Sequence, residues 1–270
     1  MGKEISMELR KGTKIIFGVT SVIVLMFIYI PLMVVALNSF NGDASLTWPI
    51  RSVTLEWWIR AFQSQGALQA VLTSLEVAAV ATVCALVLGT LCALALQRYE
   101  FFGKSAVSLL VVLPIALPGI VTGIALNNAF TTMIGIRLSM FTLIVAHVTF
   151  CIVTVYNNAF ARLGQLGEHA EEASSDLGAG VWTTFRLVTF PRIKSALFAG
   201  GLLAFALSFD EIVVTTFTAG QDITTLPIWI MNNMFRPHQA PIVAVVAVVM
   251  VLISLIPLWI SQRISAADES

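Results

Sequence analysis

Three carboxylates, Glu76, Asp210 and Glu211, stand inside stretches that are otherwise apolar. An acid among hydrocarbon is costly to keep, so it marks a place where a cation, a proton or a polar partner meets the chain. No Lys or Arg interrupts the same stretches to neutralise these acids. The chemistry they offer is therefore attraction for a positively charged solute passing between helices. They would serve equally as neutral, hydrogen-bonded acids in a subunit interface. A second cluster, EEASSDLGAG at 171–180, sets Glu171, Glu172 and Asp176 beside Gly178 and Gly180, with no nucleophile–base pair nearby. Two further spacings invite chemistry and do not carry it. His147 and Cys151 are four apart, but two ligands on an apolar helix without a nearby carboxylate read as packed core. Gly103, Lys104 and Ser105 match the end of a phosphate-binding loop, yet Arg98 holds the place of its first glycine and no strand precedes it. A basic turn that orients the next apolar stretch is the better reading.

The elements that must position these residues are membrane helices. Of 270 residues, 58% are hydrophobic and 11% charged, against about a quarter charged in a soluble domain. Zero formal net charge argues against a nucleic-acid partner. Cys84, Cys92 and Cys151 lie in apolar stretches and read as free thiols. A helix needs about 20 apolar residues to cross a ~30 Å hydrocarbon core. Six stretches qualify: 15–37, 67–96, 105–127, 138–160, 195–218 and 241–262. The expected class is thus all-α, a polytopic membrane protein of six helices forming a single domain over 1–270.

Basic residues orient it. Lys3, Arg10, Lys11, Lys14, Arg98, Lys104, Arg162, Arg186, Arg192, Lys194 and Arg263 fall on one side; Arg51, Arg60, Arg137 and Arg236 fall on the other. The heavier side is cytoplasmic, which places both termini there. The first stretch is too long for a signal-peptide core and is expected to stay as an anchor. The external segment 38–66 contains TLEWWIRAF, whose Trp57, Trp58 and Phe62 suit an interfacial helix or a linker with interface anchors. In the third stretch, Pro114 and Pro118 with Gly119 and Gly123 predict a broken or kinked helix, either a wall of a solute pathway or a packing feature. Glu76 lies nine residues and Asp210 eight residues from the outer ends of their stretches. Both are then roughly 12–14 Å below the external boundary.

The longest cytoplasmic segment, 161–194, holds the acidic cluster. Ala170, Ala173, Ser174 and Leu177 recur at helical spacing on one face, with Glu168, Glu171, Glu172 and Asp176 flanking it. Gly178 and Gly180 are expected to end this helix. A second helix, VWTTFRLVTF, should follow, with Pro191 in the first turn of the next membrane helix. A face of alanine and serine suits close packing against a partner, although an ordinary solvated connector fits the pattern too.

The spacing Glu172–Ala173–Ser174, three residues, Gly178, nine residues, Val188–Thr189–Phe190–Pro191 resembles the EAA loop of ABC-importer permeases. Ser174, Val188 and Phe190 depart mildly from the alanine, isoleucine and leucine of that pattern. HVTFCIVTVYNNAFARL at 147–163, LSFDEIVVTTFTAG at 207–220 and the TTLPIWI that follows resemble the branch serving spermidine and putrescine. Within it, the chain resembles the second permease of a putrescine-type importer. The resemblance implies a type I importer permease fold in a bacterial inner membrane. It also implies an ATPase-coupling site at Glu168, Ala170, Glu171, Glu172, Ala173, Ser174, Leu177 and Gly178. The partners implied are two cytoplasmic ATPase subunits, a sister permease and an external substrate-binding protein. ATP and Mg would be bound by the ATPases, with no cofactor in this chain. The expected solute path runs past Glu76, Asp210, Glu211, Pro114 and Pro118, by alternating access. A permease for 4-aminobutyrate or another small solute, and a proton-coupled carrier, are the competing expectations.

Overall fold

The computed structural model describes residues 11–44, 48–167, 169–236 and 238–253. These residues are almost wholly helical, with a single isolated bridge among them, Asn41 to Val53. Two compact units emerge, one from Met1–Ser64 with Asn233–Ser270, the other from Gln65–Asn232.

The first unit begins with α1 (Lys11–Asn38), a helix with large apolar side chains exposed all round, Phe27 at 82%. That is how a lone helix surrounded by lipid should look. After it comes α2 (Glu56–Gln63), which buries Trp57 and Ala61. The Trp57 indole N–H donates to the Asn41 carbonyl at 2.7 Å, and Trp58 stacks on Phe40. A helix therefore forms within TLEWWIRAF, and one of its tryptophans is an internal strut.

The second unit is built on α3 (Gln65–Arg98), α4 (Lys104–Ala116), α5 (Gly119–Asn128, continued by a π turn over Ala129–Ile134) and α6 (Met140–Leu166). Next come α7 (His169–Asp176), α8 (Val181–Thr184), a π turn over Phe185–Thr189, α9 (Phe190–Phe209), α10 (Val213–Thr218) and α11 (Leu226–Asn233). Returning to the first unit, the chain forms α12 (Ala240–Ile253). Helices α3, α6 and α9 make the core. Along α3 the buried face reads Ala67, Ala70, Ser74, Ala78, Ala81, Ala85 and Ala93, small residues that let helix backbones approach where lipid supplies no hydrophobic drive. Cys151, Val155, Ala159 and Leu163 of α6 and Ile193, Leu197 and Ala204 of α9 fill the space opposite.

Several expected spans take a different form. By length and composition, Gly12–Asn38, Gln65–Arg98, Met140–Leu166 and Val181–Phe209 can each cross a membrane, and α4 with the α5 arm makes a fifth if counted as one span. That third stretch is not a straight helix, because its arms meet at 110°. The bend falls at Leu117 and Pro118, whose extended backbone matches the restriction a proline places on the residue before it. The fifth stretch does not run unbroken over 195–218. It starts earlier, at Val181, and ends at Phe209, so Asp210 and Glu211 occupy a break between α9 and α10 instead of a helix interior. Pro191 stands in the first turn of α9, as expected. A π turn leads directly into α9, and such a widened turn absorbs the hydrogen bond that proline cannot make. The sixth stretch is helical over Ala240–Ile253, and its remainder lies outside the described residues.

Candidate functional site

The acidic cluster folds as α7 and ends where its glycine requires. Gly178 has φ +81°, the left-handed backbone that glycine adopts without a Cβ penalty. Its N–H donates to the Ser175 carbonyl at 2.8 Å, and the Ala179 N–H donates to the Ser174 carbonyl at 3.1 Å. That pair of bonds is a Schellman cap. Ala173, Glu172 and Asp176 are exposed, and Leu177 is 89% exposed. Val181 and Trp182, just beyond the turn, are 80% and 72% exposed. Ala170 and Ser174 are half-buried, and the Ser174 hydroxyl meets Thr184 of α8 at 3.0 Å. Glu168 lies outside the described residues.

Glu171 does not stand on the rim with the other acids. It turns inward, with Arg98 Nε 2.8 Å from its Oε2 and Arg98 Nη2 donating to its Oε1 at 3.2 Å. The Thr189 hydroxyl donates to the same Oε1 at 2.8 Å. Arg98 also donates to the Gly167 carbonyl at 3.0 Å, at the C-terminal end of α6. One carboxylate thus holds the ends of α3 and α9 together, beside a groove of about 740 Å³ lined by Leu91, Leu94, Tyr99, Trp182 and Phe185 among others. Sequence gives little signal of this, because Arg98 and Glu171 are 73 residues apart. The neighbouring Gly103 has φ +86° and Lys104 pairs with Glu100 at 2.6 Å, so the phosphate-loop look-alike is a turn that starts α4.

The second candidate region is where two broken helices meet. A Cβ placed on Gly119, just past the Pro118 bend, would sit 3.5 Å from Val213 Cβ, the first residue of α10. One turn on, a Cβ at Gly123 would come within 2.8 Å of the Phe217 ring, so α5 and α10 touch at a distance only glycine permits. Asn127 Nδ2 donates to the Phe217 carbonyl at 2.6 Å. The residue after Pro118 and the first residue of α10, two past Glu211, are therefore brought together, whereas Pro114 lies within α4.

The two acids of the break have different work. Glu211 Oε1 accepts the Val214 N–H at 2.8 Å and so caps α10. Asp210 is exposed, and its carboxylate has no hydrogen-bond or ion-pair partner among the described residues. Glu76 is exposed on α3 in line with Leu72, Val80, Val83 and Val87. Its depth follows from the packing. Arg98 and Thr189 both hold Glu171, and twelve residues along each helix from there Leu86 touches Gly201. The helices run antiparallel in register. Ten residues further along α3 stands Glu76, and nine further along α9 stands Asp210, about 15 and 14 Å on. Counted along the helices, the two acids lie at similar distances from the Leu86–Gly201 contact. His147 and Cys151 have separate partners: the thiol donates to the Ala204 carbonyl at 3.3 Å, and the imidazole meets Ser208 and Thr215. No cluster of His, Cys, Asp and Glu suited to a metal occurs among the described residues.

Residues 85–267 match the family model described as the binding-protein-dependent transport system inner membrane component. The chain belongs to this family. This permease is 34% identical over 248 residues to the spermidine/putrescine transport system permease protein PotC of Haemophilus influenzae, covering 92% of its own length and 95% of that relative. It is 34% identical to the putrescine transport system permease protein PotI of Escherichia coli, over 77% of its own length and 75% of the relative. Its fold is similar to a chain in the crystal structure of a bacterial ABC transporter involved in the import of the acidic polysaccharide alginate. The TM-score is 0.72 at 13% identity, covering 94% of the permease and 98% of that chain. The permease is thus a multi-pass inner-membrane transport component with the fold of ABC-importer permeases, not an enzyme.

Proposed function

We propose that this permease carries polyamines, putrescine or spermidine, across the inner membrane as one half of an ATP-driven importer. A sister permease forms the other half, two cytoplasmic ATPases bind the ATP and Mg, and an external binding protein delivers the solute. Both termini face the cytoplasm. The exposed face of α7 and its turn, with Ala173, Leu177, Val181 and Trp182, docks on an ATPase, and the Gly178 cap gives that surface a fixed edge. Movement of α7 reaches α3 through Arg98 and α9 through Thr189, because Glu171 binds both. Those are the helices that carry Glu76 and Asp210, so ATP-driven closure shifts the level of the acids and alternates access to it.

The observation that carries the reading is the unpartnered Asp210 carboxylate at the junction of the two broken helices, with Glu76 at a similar distance along α3. Unpaired acids with no Lys or Arg within the same apolar stretches attract a dication more than a zwitterion, which favours a diamine over 4-aminobutyrate. The assembled transporter with its binding protein, reconstituted in vesicles, tests this with labelled putrescine. Asp210→Asn should lower uptake about tenfold, the effect of losing one charge-assisted hydrogen bond, and excess 4-aminobutyrate should not compete. Undiminished uptake by the variant, or full competition by the amino acid, would overturn it.

A further inference from the structure

His147 is buried in α6 at 1% exposure, and both of its ring nitrogens are engaged. Nδ1 lies 2.8 Å from the hydroxyl of Ser208, in the last turn of α9. Nε2 lies 2.9 Å from the hydroxyl of Thr215, in α10. The two hydroxyls flank the break that contains Asp210, Glu211 and Ile212, so a single imidazole bridges the gap between the half-helices. The direction of the bonds follows from counting hydrogens. Thr215 Oγ1 donates its only hydrogen to the Glu211 carbonyl at 2.8 Å. Toward the imidazole it can only accept, so Nε2 carries the proton and Nδ1 accepts from Ser208. A directed chain therefore runs Ser208 to His147 to Thr215 to the backbone of Glu211. The same face of α6 makes two neutral bonds on either side of this chain. Thr142 Oγ1 donates to the Thr218 carbonyl at 3.0 Å, and Cys151 donates to the Ala204 carbonyl. Those contacts fix one half-helix each. His147 alone among them holds both.

We propose that His147 is a positioning residue for translocation: it fixes the two half-helices across the break so that the Asp210 carboxylate is presented to the passing cation at a set depth. This rests on the reading of Asp210 as an acid that meets the solute. A residue of this kind touches no substrate and acts through the backbone it holds. Its loss should spoil the conversion of ATP turnover into transport, with the ATPase itself left running.

The test measures putrescine imported per ATP hydrolysed by the assembled transporter in vesicles, with binding protein present. The variants are His147→Ala, Ser208→Ala, Thr215→Val, Asp210→Asn and, as a conservative partner, His147→Gln, whose amide can reach one of the two hydroxyls. His147→Ala is expected to lower the ratio about fivefold or more, with ATP hydrolysis within twofold of the unsubstituted protein. Ser208→Ala and Thr215→Val, which keep the ring in place, should each lower it less, and His147→Gln should recover part of the loss. If His147→Ala does not assemble with its partners, the two hydroxyl variants decide. A ratio unchanged in the histidine and hydroxyl variants while Asp210→Asn lowers it overturns the positioning role. Parallel loss of uptake and ATP hydrolysis does the same, as a purely structural role predicts. An unchanged ratio in Asp210→Asn instead overturns the reading of the acid.

Discussion

At the scale of single residues, like side chains have parted company. Glu171, Glu172 and Asp176 share one short helix, yet only Glu171 is drawn into an ion pair and a threonine bond, while its neighbours face outward. Asp210 and Glu211 are adjacent, yet one caps a helix and the other is left unpartnered. Gly178, at φ +81°, holds a left-handed backbone that side chains with a Cβ rarely adopt. No atom lies within 4 Å of where its Cβ would be, so crowding plays no part. Gly178→Ala should cost roughly 1–2 kcal/mol from the left-handed backbone alone, and Gly178→Asn less. A thermal shift of the purified complex that follows the order Gly, Asn, Ala would bear this out, and equal stability of all three would exclude it.

At the scale of elements, the permease is shaped by where helices stop. Proline ends α4 against α5 by denying the preceding residue a helical backbone. No proline ends α9, and polar side chains stabilise that break instead, through the Glu211 cap and the His147 bridge. The half-helices α5 and α10 then pack through Gly123 against Phe217, where any side chain larger than hydrogen meets the ring. Gly123→Ala is expected to destabilise the assembled complex by about 1–3 kcal/mol through overpacking. Phe217→Ala added to it should recover part of that loss. Destabilisation that is simply additive in the double variant, measured by thermal unfolding in detergent, would mean that the two residues do not share this contact.

At the scale of the whole molecule, the proposed force path from α7 to the acids passes through the Arg98–Glu171 pair. Separating that pair should leave ATP hydrolysis intact and lower transport. Arg98→Ala and Glu171→Gln are each expected to reduce putrescine uptake severalfold, and the exchange Arg98→Glu with Glu171→Arg to recover part of it. Uptake at the normal level in both single variants would place the force path elsewhere. Much of the helical architecture was legible from residue order, because long apolar runs report helices locally. The EAA spacing was legible for the same reason, being a pattern within twenty residues of chain. What could not be read was the set of partners joined across long separations. His147 reads as packed core until Ser208 and Thr215, 61 and 68 residues away, are seen beside it. The break at Asp210 was hidden because the apolar run continues through it. Hydropathy records what surrounds a helix, and not whether its backbone is continuous.

Because one carboxylate grips both Arg98 and Thr189, α3 and α9 cannot swing independently from their cytoplasmic ends. In the proposed cycle the parts of these helices nearest Glu76 and Asp210 would therefore travel together. A site that moves in this way keeps its shape and changes only the side of the membrane to which it is open. On the proposed reading the solute would then be released by rewetting, when water reaches acids whose spacing has not altered, and not by a loosened grip.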